Sequence, residues 1–146
     1  MGPARSAAVW LLVSVALPEK ASESHTLTLA VEGVRNSKGV IGVLVFNSRR
    51  GWPENTEAAF RRIAVRAQQG LSSVAISNLP EGDYAVVVLH DENENMKLDR
   101  NWLGIPKEQW GMSNNPPVFM SIPSFDAARF RLRSDLRMRI RLRIRR

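Results

Sequence analysis

Residues 79–95, LPEGDYAVVVLHDENEN, carry the reading of this chain. Pro80 at the second place of a turn with Gly82 at the fourth is type I turn chemistry. Tyr84–Leu89 follows as a strongly apolar strand. That strand delivers the chain into a loop with oxygen-bearing side chains at Asp91, Asn93, Asn95 and Asp99.

The same pattern extends outward on both sides. Apolar residues recur at period two far more than at 3.6, and β-branched residues dominate the apolar runs. Thr26–Val34 alternates, with Leu27, Leu29 and Val31 on one face. Gly39–Phe46 is a nearly continuous apolar run, as expected of a strand covered on both sides. Turn chemistry at Asn36–Gly39 predicts a hairpin between these two. Thr56–Arg62 is expected as a short helix. Arg61–Gln68 and Leu71–Ser77 are read as strands joined at Gly70, and Val118–Ile122 and Ala127–Leu132 as shorter ones.

From Arg129 to Arg145 every odd position is Arg except Asp135, while the even positions are apolar except Ser134. One strand of that length would far exceed the usual five or six residues. A three-residue loop, Arg133–Asp135, pairs Leu132 with Leu136 and keeps each face uniform, so a hairpin is predicted there. The sum is an all-β chain: an antiparallel β-sandwich of seven or eight strands with one long loop, forming a single domain over 22–146.

The N-terminus reads as a secretory signal over 1–21. Arg5 supplies the positive start and Ala7–Leu17 the apolar stretch, with cleavage near Ala16 or Ala21. The apolar run is too short to span a bilayer, which takes roughly 20 residues, so no transmembrane segment is expected in the mature chain. The expected location is secreted or periplasmic. The absence of Cys excludes disulfides, thiol chemistry and zinc–thiolate sites. Residues 129–146 hold nine Arg and one Asp, a net of +8 against +7 for the whole chain, which leaves the body at −1.

Several motifs around the loop carry a family resemblance. They are Leu79–Tyr84, His90–Asn95, Leu98-Asp99, Gly104-Ile105-Pro106 with Glu108, and Gly111 with Ser113-Asn114. Together they resemble the DUF2141 family of uncharacterised secreted bacterial proteins, from about Thr26 to the C-terminus. The resemblance implies a transthyretin-like or Cna-B-like sandwich and brings no established activity. One departure stands out: the family usually has Gly where this chain has Met96.

Two candidate sites follow from the residues. Asp91, Asn93, Asn95, the Lys97 carbonyl and Asp99 form a potential Ca²⁺ set, because hard cations take several oxygens at once. Glycine is wanted at the sixth loop position, where Met96 stands, and the twelfth position is Trp102 rather than Glu. The set is therefore under-liganded and expected to bind weakly, at about 10⁻⁴–10⁻³ M. Asp and Asn in this pattern also satisfy backbone N–H groups through Asx-turns, with no metal.

The second candidate is the row Arg137, Arg139, Arg141, Arg143 and Arg145, spaced about 6.6–6.8 Å apart on one strand face. It suits anionic envelope lipid or acidic glycan; after export, nucleic acid is the least accessible partner. A solvated face that blocks edge-to-edge pairing explains the same row. His90 is assigned a structural hydrogen bond, and Trp102 and Trp110 are expected to pack the long loop onto the sandwich. No nucleophile elbow, P-loop, dinucleotide fingerprint or HExxH occurs. The leading expectation is a non-enzymatic module. The alternative is a small hydrolase or carbohydrate-active enzyme using Asp91, Asp99 or Glu108, whose carboxylates would need to sit roughly 5–10 Å apart.

Overall fold

The structure is a computed structural model that describes residues 2–4, 11–19 and 21–144. Eight strands are formed: β1 Ser24–Val34, β2 Val40–Phe46, β3 Arg61–Arg66, β4 Gly70–Pro80, β5 Gly82–Asp91, β6 Trp110–Met112, β7 Phe130–Leu132 and β8 Leu136–Arg141. A 3-10 turn at Thr56–Ala58 and a short helix α1, Phe125–Ala128, are the remaining elements. Each starts on a cap: the Asn55 side chain accepts from two N–H groups of the 3-10 turn, and Ser124 from Ala127. The expected helix over Thr56–Arg62 shrinks to that turn because Arg61 already enters β3.

The strands lie in two sheets, ordered β4-β1-β8 and β3-β2-β5-β6, with β7 pairing the start of β5. Their inner faces meet in one core. Leu27, Leu29 and Val31 of β1 oppose Ile41, Val43 and Val45 of β2, with Val86 and Val88 of β5 beside them. All pairs are antiparallel except β1 with β8. The all-β, two-sheet expectation holds.

Two expected hairpins do not form. β1 and β2 belong to different sheets, so the Asn36–Gly39 turn carries the chain across the sandwich. Gly39 is needed there: its φ is +66°, and an added Cβ would sit 2.1 Å from the Asp91 carbonyl. The break at Arg133–Asp135 falls where parity placed it, but β7 joins β5 whereas β8 runs parallel to β1. Asp135 fixes that exit by accepting the N–H of Thr26 at 2.8 Å.

Val118–Ile122 is not a strand. Its β-favouring composition finds no partner strand, and Met120 is 92% exposed. Ala127–Leu132 divides between the end of α1 and β7. β6 was not expected at all. Its close approach to β8 depends on Gly111, whose Cβ would meet the Arg141 carbonyl at 2.7 Å.

The outer face of the five-stranded sheet carries a second apolar cluster. Phe46 and Ala85 pack under Trp52, Phe125 and Ala128. This is why β2 and β5 read as continuous apolar runs: both their faces are covered. Of the expected secretory leader, residues 1, 5–10 and 20 lie outside the described residues, and residues 11–19 are exposed with no regular structure. Among the described residues no helix is long and apolar enough to cross a membrane.

Candidate functional site

β5 ends at Asp91, and the chain then makes an excursion over 92–109 before β6. The excursion is a small folded-back unit. Lys107 donates its N–H to the Asp99 carbonyl at 2.8 Å, and Asn101 donates to Ile105 at 2.8 Å. Arg100 and Pro106 form an isolated antiparallel bridge. The return leg brings Glu108 beneath the Asp/Asn segment.

Asp91, Asn93, Asn95 and Asp99 are brought together, chiefly on the loop's own donors. Asp91 is buried and accepts the N–H groups of Asn95 (3.1 Å) and Met96 (2.6 Å). The Asn93 and Asn95 side-chain Oδ1 atoms accept from the Asn95 and Lys97 backbone N–H groups at 3.3 and 2.9 Å, as Asx-turns do. Both amide nitrogens donate to the Asp99 carboxylate, at 2.5 and 2.8 Å. Met96 takes a φ of +60°, the left-handed conformation that glycine adopts at least cost. The family-typical glycine at this position has that physical reason.

Glu108 is the site's central acid, and only 5% exposed. One oxygen accepts from Glu92 N–H and the other from Asp99 N–H, both at 3.2 Å. Burial pushes its carboxyl above the ordinary 4.5; the nearby Asp99 and Asp91 charges add to this, and the N–H groups oppose it. Glu92 accepts from the Arg35 and Asn36 side chains. The Arg35 hydrogen bond holds it below its ordinary value, with Asn36 assisting. Glu94 is exposed and pairs with Arg66 at 3.6 Å.

The remaining anchors latch the loop to the β1–β2 turn. Gln109 accepts from Arg35 N–H at 2.9 Å and donates to the Gly33 carbonyl at 2.7 Å. His90 is fully buried and donates Nε2–H to the Lys38 carbonyl at 2.8 Å, with Nδ1 3.4 Å from Gln109 Oε1. Its structural role is as expected. Trp110 is buried as expected, but Trp102 is 91% exposed and does not pack on the sandwich.

Among the described residues no three His, Cys, Asp or Glu side chains group as metal ligands. A cation at the loop would depend on the amide oxygens of Asn93 and Asn95, and both amides would have to turn from Asp99. Nor does Glu108 offer the access an acid–base catalyst needs, since it is buried with both oxygens holding backbone donors.

The basic row is partly assembled. Arg137, Arg139 and Arg141 alternate on the exposed face of β8 while Met138 and Ile140 face inward. Arg139 lies 3.7 Å from Glu32. Arg143 leaves the row: its backbone pairs with Trp110, and its side chain donates to the Asn115 carbonyl at 3.1 Å. Arg145 lies outside the described residues.

Residues that sequence reasoning missed hold the loops in place. Ser113 is fully buried, accepts the Val86 N–H at 2.9 Å and donates to the Ala128 carbonyl. Asn115 donates to the Arg139 carbonyl at 3.0 Å and accepts from the Arg141 N–H at 2.8 Å, serving the free edge of β8. Both Asn114 and Asn115 have positive φ, which the Asn-Asn pair signals. Also unforeseen is a cavity of about 560 Å³ between the five-stranded sheet and the long loop, with Asp91, Asn95 and Lys97 on its wall.

A family model described as an uncharacterized protein conserved in bacteria, DUF2141, matches residues 29–140. Neither the curated proteins nor the solved structures yield a match.

Proposed function

The chain belongs to the DUF2141 family, and from that premise we propose that it is an exported, non-catalytic binding module of the bacterial envelope. Its basic edge strand contacts an anionic surface, either lipid head groups or an acidic glycan. One observation carries this reading: Arg137, Arg139 and Arg141 stand exposed along one edge strand, and among the described residues Arg139 alone of the three pairs with a carboxylate, that of Glu32 at 3.7 Å. Beside Arg137 and Arg139 the sheet presents Thr28 and Ala30 in register, small side chains that leave those guanidinium groups accessible, while Glu32 stands beside Arg141. Edge protection alone needs fewer charges.

Co-sedimentation with acidic and neutral vesicles tests it. Binding to acidic vesicles should fall steeply between 0.1 and 1 M salt, as the Debye length drops from about 10 to 3 Å. The double change Arg137→Gln with Arg141→Gln should weaken it further at low salt. Salt-independent or absent binding would leave only the edge-protection role.

Calcium enters this reading as a weak ligand of the loop through Asp91, Asn93, Asn95, the Lys97 carbonyl and Asp99. The specific support is the convergence of the Asp/Asn side chains, the Asn93 and Asn95 amides reaching the Asp99 carboxylate at 2.5 and 2.8 Å. Burial raises the Glu108 carboxyl, and the smaller contributions of the Asp99 and Asp91 charges are ones a cation would offset. Millimolar Ca²⁺ should then raise the melting temperature, and Asp91→Ala should remove that gain. Equal melting curves with Ca²⁺ and with chelator would refute it.

A further inference from the structure

We propose that the cavity on the outer face of the five-stranded sheet is a binding site for a single-chain amphiphile with a carboxylate head. Its volume of about 560 Å³ lies within the 300–1,000 Å³ of small-molecule sites. The second apolar cluster fills only one end of this face. There Phe46 and Phe125 clamp Trp52 edge-on, with ring centroids 5.3 and 5.9 Å apart. At the other end Leu44, Val87 and Leu89 stay only partly covered, beneath a roof that includes Met96, Leu98 and Ile122.

The register gives the cavity an elongated floor. Leu44, Val87 and Met112 stand opposite one another across β2, β5 and β6. The next row is Gly42, Leu89 and Trp110. Strands are about 4.8 Å apart, so each row runs roughly 10 Å across the sheet. Gly42 has no side chain to fill its end of the row, which deepens the trough. An unbranched alkyl chain matches that shape and the apolar walls.

The charges on the wall select the head group. Glu54 holds Arg100 in an ion pair, and Asp91 is engaged by two N–H groups. Lys97 is the one Lys or Arg among the lining residues and has no ion-pair partner among the described residues. With Asp91 buried on the loop's own donors and Glu54 held by Arg100, the exposed Lys97 ammonium beside an apolar trough is complementary to a single carboxylate.

The site lies on the opposite sheet from the Arg137 row, so this proposal and the surface-binding one stand or fall separately. Isothermal titration with dodecanoate below its micellar concentration tests it, with dodecyltrimethylammonium as the cationic counterpart. Dodecanoate should bind one-to-one and at least tenfold more tightly than the cation. Gly42→Leu fills the trough without strain, since a Cβ there meets only the Leu89 carbonyl at 3.9 Å; it should weaken dodecanoate at least tenfold with the melting temperature kept. Lys97→Glu, at an exposed position, should cancel or invert the preference for the anion. The proposal is overturned by the absence of saturable dodecanoate binding, by unchanged affinity in a folded Gly42→Leu variant, or by an unchanged anion preference in Lys97→Glu.

Discussion

The outer faces of the two sheets are built from the same strand geometry and end in opposite states. On the three-stranded sheet, small and polar residues face out: Thr28 beside Ala75 and Arg137, and Ala30 beside Ser73 and Arg139. On the five-stranded sheet, Leu44, Phe46, Ala85 and Val87 face out and are roofed by α1 and by the segments that carry Trp52, Leu98 and Val118. The difference lies in alternation. β8 alternates Arg with apolar residues, and Leu27–Glu32 of β1 and Ser73–Ser77 of β4 alternate buried apolar residues with small or polar ones, so one side must meet water. β2 and β5 are apolar on both sides, so the chain must supply a second layer, and it does so incompletely. The open remainder is the cavity.

The contrast is broken most severely by truncation on the covered face. Phe46→Ala should cost about 3–5 kcal/mol, as large-to-small changes in closed cores do, while Ser73→Ala on the open face stays within about 0.5 kcal/mol. Urea melts of the two variants check this directly. Comparable losses would mean that the second cluster is not a core.

Next in size is the anchor of the cover. Ser113→Ala leaves the Val86 N–H and the Ala128 carbonyl without their buried partner, a loss of about 1–3 kcal/mol. An unchanged melting curve would show that the Ser113 hydroxyl is not what holds α1 in place. A smaller effect of opposite sign is expected from Met96→Gly. Relieving the left-handed conformation returns about 1–2 kcal/mol, offset by roughly 0.5–1 kcal/mol of glycine's added freedom when unfolded. The net should be a gain of up to about 1.5 kcal/mol; a loss would show that the Met96 side chain matters more to the roof than its backbone does.

The smallest effects are pH slopes, and two acids on the same loop should tilt in opposite directions. Glu92 has a lowered carboxyl value, so its contribution is present above the ordinary 4.5 and fades as pH falls through its lower folded value. Glu108 has a raised value, so its contribution is full below 4.5 and is lost as pH rises through the higher folded value. The stability gap between the parent chain and Glu92→Gln should therefore widen with rising pH across this range, while the gap to Glu108→Gln narrows. Melting series between pH 3 and 7 would expose parallel slopes if this assignment were wrong.

Much of this was legible in the sequence, for local reasons. Strand positions followed from alternation, and the parity of Arg129–Arg145 located both the break at Arg133–Asp135 and the outward face of Arg137, Arg139 and Arg141. The pairing of strands was not legible, because a turn such as Asn36–Gly39 serves a hairpin or a sheet-to-sheet crossing equally well. Apolar composition misled at Val118–Ile122, which forms no strand although Val118 and Ile122 join the cover of the five-stranded sheet, and at Trp102, whose side chain stays 91% exposed. In the loop, the Asp/Asn spacing correctly implied convergence, yet it carried no sign that Glu108 would return beneath it. The cavity was hidden for a related reason: it depends on how far the cover reaches, which is a property of tertiary distance.

The opposed characters of the two outer faces are tested most directly by an amide chemical-shift map recorded with dodecanoate and then with a sulfated oligosaccharide. Two separate sets are predicted: Gly42, Leu44, Val87, Leu89 and Met112 for the first, and Thr28, Ala30 and Arg137–Arg141 for the second. One shared set of shifted amides, or none with either ligand, would contradict the account.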